Sequence, residues 1–196
     1  MKMTRLEKCF VNRERKAQRN MAKVRERLEE LKGRTITDAL EIGCGIGTVA
    51  AHLADSYPMN VWGTDFDPEQ VEIARKFHPE HERLHYRVED AAKLSFGDES
   101  FDLVVSQNVF HHVPDWDQVV REIARVLRTG GYLIWMDLAI PGLLKALAAP
   151  FVRNYGVYTI TDVRAAFERA HLVERFRERL AHGPMVQHHM VLEKAV

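Results

Sequence analysis

Glu41-Ile42-Gly43-Cys44-Gly45-Ile46-Gly47-Thr48 follows a short apolar run and opens an amphipathic segment. Three glycines on alternate positions let the backbone turn sharply and come close to a ligand, because a Cβ there would clash. Between a strand and a helix, such a loop forms a binding site for a nucleotide-like group, with the N–H groups of the helix start aimed at it. The spacing is G-x-G-x-G. The dinucleotide fingerprint, G-x-G-x-x-G, carries its third glycine one position later.

Outward from this loop, strand and helix patterns alternate. Residues 35–42 read as a strand, 47–56 as a helix and 60–64 as a strand. Residues 68–77 read as a helix with Asp67 at its N-cap and Pro68 at its first position. Residues 84–88 form the next strand. Residues 102–106 are almost continuously apolar through Leu103-Val104-Val105, as a buried parallel strand requires. A helix over 116–128, with Asp115 or Trp116 near its cap, leads to an apolar strand over 132–138. This order predicts an α/β fold, a mostly parallel sheet with helices on both faces. The tail changes pattern. Thr159-Ile160-Thr161-Asp162 has the form of a capping box opening a helix to about 171. Strands over 173–180 and 186–193, joined around Gly183-Pro184, then suggest an antiparallel hairpin or near-hairpin at one end of the sheet. Upstream, residues 5–32 lack Pro and Gly and repeat Leu6, Phe10, Ala17, Met21, Val24, Leu28 and Leu31 at helical spacing, up to Gly33. The reading is a helical arm or lid over 1–34 and a domain over 35–196.

At 196 residues the chain fits one domain, with or without an appendage. Hydrophobic content of 46% and charged content of 29% are those of a globular protein. No apolar run approaches the ~20 residues that span a bilayer, and the charged start from Lys2 lacks the apolar core of a secretory signal. Cys9 and Cys44 read as free thiols in a reducing cytoplasm, since a disulfide at Cys44 would obstruct the glycine loop. The net charge of zero hides an asymmetry. Residues 1–34 hold 12 Lys and Arg against 5 Glu, and the rest holds 16 basic against 23 acidic residues. A basic arm of this kind either packs on its own acidic body or meets an anionic partner such as RNA, in which case affinity falls steeply with salt.

Asp65 ends the second strand, 22 residues after Gly43. A carboxylate there can accept from both hydroxyls of an adenosine ribose. Asp90-Ala91 follows the third strand, where a carboxylate can accept from an exocyclic amine and a backbone N–H can donate to a ring nitrogen. Phe66 is placed to pack on an adenine face. Further on come Phe101-Asp102-Leu103-Val104-Val105, the run Phe110-His111-His112-Val113-Pro114-Asp115, and Leu127-Arg128-Thr129-Gly130-Gly131.

In that order, over residues 36–137, these motifs resemble the class I S-adenosylmethionine-dependent methyltransferases, nearest to the small-molecule branch of the ubiquinone/menaquinone-biosynthesis type. The resemblance implies a Rossmann-like seven-stranded sheet with an antiparallel last strand. It also implies S-adenosyl-L-methionine as cofactor and methyl transfer to a small molecule. By the same resemblance Glu41, with the backbone of Gly43, Cys44 and Gly45, meets the methionine end. Asp65 holds the ribose, Asp90 and Ala91 with Phe66 meet the adenine, and Asn108 lies near the transferred methyl. Two departures stand out. Thr129 replaces the usual Pro before the paired glycines, and Ser106-Gln107-Asn108-Val109 lacks the N-P-P-Y or D-P-P-Y motif of the base-methylating relatives. The second argues against a flipped nucleic-acid base as acceptor.

Methyl transfer needs alignment and exclusion of water, with a base only where the nucleophile holds a proton of high pKa. His111 and His112 are the candidates for that base, or else a structural feature shared by relatives with different acceptors. His188 and His189, adjacent on a strand, point to opposite faces and offer no metal pair, so no metal site is expected. Phe10, Asn12 and Arg13, and the apolar segment 141–158 with Leu143, Leu144, Leu147, Phe151, Tyr155 and Tyr158, are candidate lid elements. The segment's character suits an apolar acceptor or a membrane surface, or alternatively core packing or a homodimer contact. Arg153 and Tyr155 are placed to orient a polar acceptor. An NAD(P)-dependent oxidoreductase and a non-catalytic cofactor-binding regulator are the rival functions.

Overall fold

The computed structural model describes residues 14–142, 155–182 and 185–195. Cys9, Phe10, Asn12, Arg13, Arg153, most of the segment 141–158 and the turn at Gly183-Pro184 lie outside these residues. The elements are α1 (Glu14–Glu29), β1 (Asp38–Ile42), α2 (Thr48–Ser56), β2 (Asn60–Asp65), α3 (Pro68–Phe77) and β3 (Leu84–Val88). They continue with β4 (Phe101–Gln107), a 3₁₀ turn (Phe110–His112), α4 (Trp116–Val126), β5 (Leu127–Ala139), α5 (Ile160–Arg169), β6 (Leu172–His182) and β7 (Met185–Lys194).

The seven strands form one sheet in the order β3-β2-β1-β4-β5-β7-β6. Strands β1 to β5 pair in parallel, and β7 runs antiparallel to both of its neighbours. Buried on both faces, β1 and β4 carry apolar side chains at successive positions, Leu40 and Ile42 facing one layer, Ala39, Leu103 and Val105 the other. On the first face, Leu40, Val104, Leu133 and Trp135 pack against Val119, Ile123 and Phe167 of α4 and α5. On the second, Val61, Val105 and Ile134 pack against Leu53 of α2, with Val24, Leu28 and Leu31 in the same cluster. Two of the caps expected from sequence are present. The Asp67 carboxylate accepts the Glu69 N–H, and Thr159 and Asp162 form a reciprocal capping box. No helix among the described residues is long and apolar enough to cross a membrane.

The helix expected over 116–128 ends two residues early, at Val126. Leu127 already pairs with Phe101, and Tyr132 pairs with Leu103, so residues 128–131 of β5 lie opposite Asp102 alone. The paired glycines therefore form an excursion within a strand, not a turn before it. The described part of the basic arm packs on its own body. Lys23 Nζ donates to Gln187 Oε1 at 2.9 Å, and the buried Arg27 lies 4.2 Å over the Phe176 ring and 3.6 Å from the Glu178 carboxylate.

At the N-terminal edge of the sheet, Asp102 holds three elements together. It accepts from the N–H groups of Thr37 and Asp38 and from the Thr37 hydroxyl, while Arg128 bridges it to Asp38. Burial works to raise its pKa, but the Arg128 and Thr37 hydrogen bonds dominate and hold the carboxyl down to about 2. A depressed pKa contributes stability above the ordinary Asp value of about 3.9, and that stability is lost as pH falls toward 2. Asp102→Asn is expected to cost about 1 kcal/mol at pH 7. In thermal melts the gap to wild type should shrink between pH 4 and 2, and a gap independent of pH would contradict the assignment.

Candidate functional site

The sheet reverses its winding between β1 and β4, the switch point where open α/β sheets bind ligands beyond the carboxyl ends of their strands. A cleft of about 580 Å³ opens there, and all eleven candidate site residues line it. Its floor is the glycine loop. Gly43 has φ +72°, and a Cβ on it would run into Val109 Cγ2. Gly47 has φ +80°, and a Cβ on it would lie 2.5 Å from the Tyr86 hydroxyl. Both positions thus exclude side chains for two reasons, left-handed backbone and close approach. Gly47 also caps α2 without a side chain, so the N-terminus of that helix opens toward the cleft.

Three residues meet under this loop. Asp65, at the end of β2, accepts the Gly45 N–H with Oδ2 and the Asp67 N–H with Oδ1, each at 3.0 Å. Burial raises its pKa against the opposing pull of these two N–H groups. Glu41, at the end of β1, accepts the Ala50 N–H of α2 at 2.8 Å. Burial pushes this carboxyl well above the ordinary range, the Ala50 N–H opposes the shift, and Asp65 adds to it. Cys44 is a buried free thiol, held well above its usual pKa by burial and then by Glu41 and Asp65, which leaves it a poor nucleophile.

The rest of the cleft comes from the ends of β2, β3 and β4. Phe66 lines it and is 48% exposed. Asp90 is exposed and accepts the Ala92 N–H at 2.9 Å, so it shapes its own turn, with Ala91 beside it. Asn108 has φ +55°, a conformation that Asn tolerates better than most residues, and its N–H donates to Met136 O at 2.8 Å. This bend takes the chain out of β4 into the 3₁₀ turn that carries His111 and His112, whose rings lie 4.1 Å apart.

Two contributors carry no mark in the sequence reading. Asn20 of α1 lines the cleft, and its carbonyl accepts from Gln107 Nε2 at 3.0 Å. Nothing local in an arm rich in Arg and Glu marks Asn20. Asp137 is different, because it is the lone charge in the apolar run 132–138. It is fully buried on β5, and its carboxylate accepts from His111 Nδ1 at 2.5 Å and from the N–H groups of Phe110 and Leu138 at 2.8 and 2.7 Å. The buried Tyr158 phenol beside it is raised well above its ordinary pKa, by burial first and then by the Asp137 carboxylate.

Residues 40–135 match the family model described as a methyltransferase domain. The chain is 36% identical over 133 residues to methyltransferase GfsG of Streptomyces halstedii, covering 66% of this chain and 47% of that protein. It is 40% identical over 101 residues to the 2-methyl-6-phytyl-1,4-hydroquinone methyltransferase of Synechocystis, covering 52% of this chain and 32% of that protein. The chain thus spans half or less of the length of these two curated relatives. Its fold is similar to that of phosphoethanolamine N-methyltransferase 2 of Haemonchus contortus, solved with S-adenosyl-L-methionine. The TM-score is 0.70 at 19% identity, covering 88% of this chain and 53% of that one.

The raised pKa of Glu41 has a consequence for stability. A carboxyl with a raised folded pKa favours folding below its unfolded value, about 4.3, and disfavours it as pH rises and the group must ionise. Glu41→Gln keeps an acceptor for the Ala50 N–H and removes that charge. The variant is expected to melt higher than wild type at pH 7, with the difference vanishing toward pH 4. A variant that melts lower at pH 7 would show that the carboxylate stabilises the loop.

Proposed function

Because residues 40–135 belong to the methyltransferase-domain family, we propose that the chain binds S-adenosyl-L-methionine and transfers its methyl group to a small-molecule acceptor. The observation that carries the reading is the pairing of a close-approach glycine loop with Asp65, on one cleft at the sheet's switch point. The cleft's about 580 Å³ is room for a nucleoside-sized ligand. Asp65 uses one lone pair of each oxygen on a backbone N–H, leaving acceptor capacity for ribose hydroxyls.

In this reading Asp90 accepts from the adenine amine, the Ala91 N–H donates to the ring and Phe66 covers its face. Glu41 and the backbone of Gly43, Cys44 and Gly45 meet the charged amino-acid end, and the acidic surroundings suit a cationic ligand. When bound, the cofactor supplies an electrophilic methyl on a sulfonium and leaves as the neutral thioether of S-adenosyl-L-homocysteine. The protein's own task is to align the acceptor with that methyl near Asn108 and to exclude water. His111 and His112 supply the base where the acceptor holds a proton. Helix α1, pinned by Gln107, Gln187 and Glu178, serves as one wall of the acceptor side. A small acceptor, not a flipped base, fits the Ser106-Gln107-Asn108-Val109 segment, and a reducing cytoplasm fits a free thiol inside the loop.

Isothermal calorimetry with S-adenosyl-L-homocysteine, with NAD as control, tests the reading. Micromolar binding is expected, weakened at least ~10-fold in Asp65→Ala, in line with the loss of a charge-assisted hydrogen bond of 1.5–3 kcal/mol. Wild-type binding to NAD and not to the homocysteine nucleoside would replace the methyltransferase with an oxidoreductase.

A further inference from the structure

We propose that the acceptor enters this cleft uncharged, and that Asn20 of α1 selects it by a hydrogen bond to a polar group outside the reacting atom. This rests on the cleft being the methyl-donor site.

Charge is unevenly placed along the cleft. The described residues that line it include Glu41, Asp65, Asp67, Glu89, Asp90 and Asp115, and no Lys or Arg. All but Asp115 stand at or just after the ends of β1, β2 and β3, on the side read as holding the donor. The side built from α1 and the ends of β4 and β5 is lined by no described Asp, Glu, Lys or Arg. It presents the carboxamide residues Asn20, Gln107 and Asn108, with His111 and Leu138 beside them. The next cations on this face of α1 are held elsewhere, Lys23 on Gln187 and Arg27 on Phe176 and Glu178.

An ion that enters such a place gives up water and meets no counter-ion in return. A cationic acceptor would also be brought against the sulfonium it must react with. An anionic one is drawn to that sulfonium, but it stands among the carboxylates of the same cleft. An uncharged acceptor meets neither penalty. The missing counter-ion thus works as selection against both signs of charge.

Asn20 is the group placed to read the neutral acceptor. Val24, one turn later on the same helical face, is fully buried in the core. The Asn20 carbonyl accepts from Gln107 Nε2, which fixes this turn of α1 over the end of β4. Its carboxamide makes no hydrogen bond among the described residues. Asn is a poor residue for a helix interior, because its side chain competes for backbone groups, and here no such bond is made in exchange. Gln107 spends Nε2 on the Asn20 carbonyl and on Met136 Sδ at 3.8 Å, and its Oε1 has no donor among the described residues. A ligand is therefore offered a donor and an acceptor by Asn20 and an acceptor by Gln107. An amide or a hydroxyl matches that set. A carboxylate brings acceptors alone and no donor for Oε1.

Probes of one shape and three charges test this on protein saturated with S-adenosyl-L-homocysteine, with binding followed by ligand-observed NMR. They are 4-hydroxybenzamide, 4-hydroxybenzoate and tyramine. The amide should bind at least ~10-fold more tightly than the anion or the cation. Asn20→Ala should weaken the amide about 5-fold, as the loss of one neutral hydrogen bond does. Asn20→Lys should reverse the order of amide and benzoate, the ratio moving at least ~10-fold toward the anion. Both variants should keep the wild-type affinity for the nucleoside, a readout that a merely structural role for Asn20 would move. Benzoate or tyramine binding as tightly as the amide, a ratio unmoved in Asn20→Lys, an amide unaffected by Asn20→Ala, loss of the nucleoside in either variant, or no probe bound to the loaded wild type would each overturn the proposal. Failure of the wild type to bind the nucleoside would instead overturn the reading of the cleft.

Discussion

The Asp65 carboxylate ties together the two loops that leave the neighbouring ends of β1 and β2. One oxygen holds the Gly45 N–H of the loop after β1, and the other holds the Asp67 N–H at the entrance to α3. Parallel pairing of β1 with β2 brings Ile42 level with Thr64, and the Cys44 N–H donates to Thr64 O at 2.8 Å, so this carboxylate extends a link that the backbone begins. The loop can come so close because Gly43 and Gly47 leave no Cβ in the way of Val109 and Tyr86. A side chain at either position would push the loop off the end of β2 and close the cleft from below.

Carboxylates at the two ends of the sheet are treated in opposite ways. At the N-terminal edge, Asp102 has a cation, Arg128, and its pKa is pulled down to about 2. At the C-terminal edge, Glu41 and Asp65 are enclosed with backbone N–H donors, and burial raises both. Asp137 adds an imidazole to the same kind of partner set. The first arrangement favours the folded state at neutral pH. The second costs stability there and leaves negative charge where a positively charged ligand would relieve it. Asp102 on the one hand, and Glu41 and Asp65 on the other, thus differ in the kind of partner that burial leaves them.

Much of this was legible in the sequence because it is written in local rules. Alternating glycines, Pro68 behind Asp67, the Thr159 to Asp162 box and the apolar run of β4 each depend on neighbours a few residues away. The order of strands and helices then left few topologies open, and the antiparallel β7 follows from them. What escaped depends on register between distant segments. Helix α4 stops at Val126 because Leu127 pairs with Phe101 on β4, and no feature of residues 116–128 encodes that partner. Asn20 reaches the cleft through a bond to Gln107, 87 positions away. Asp137 meets His111 over 26 positions. Its solitary charge in an apolar strand was visible, but its partner was not.

In the proposed site one cleft, floored by the glycine loop and gripped by Asp65, holds the methyl donor in reach of His111. A crystal structure with S-adenosyl-L-homocysteine tests it directly. Both ribose hydroxyls are expected on the Asp65 carboxylate, the adenine between Phe66 and Asp90-Ala91, and the thioether sulfur on the side of the cleft lined by Asn108 and His111. A nucleoside bound elsewhere, or bound in this cleft with its ribose away from Asp65, would contradict it.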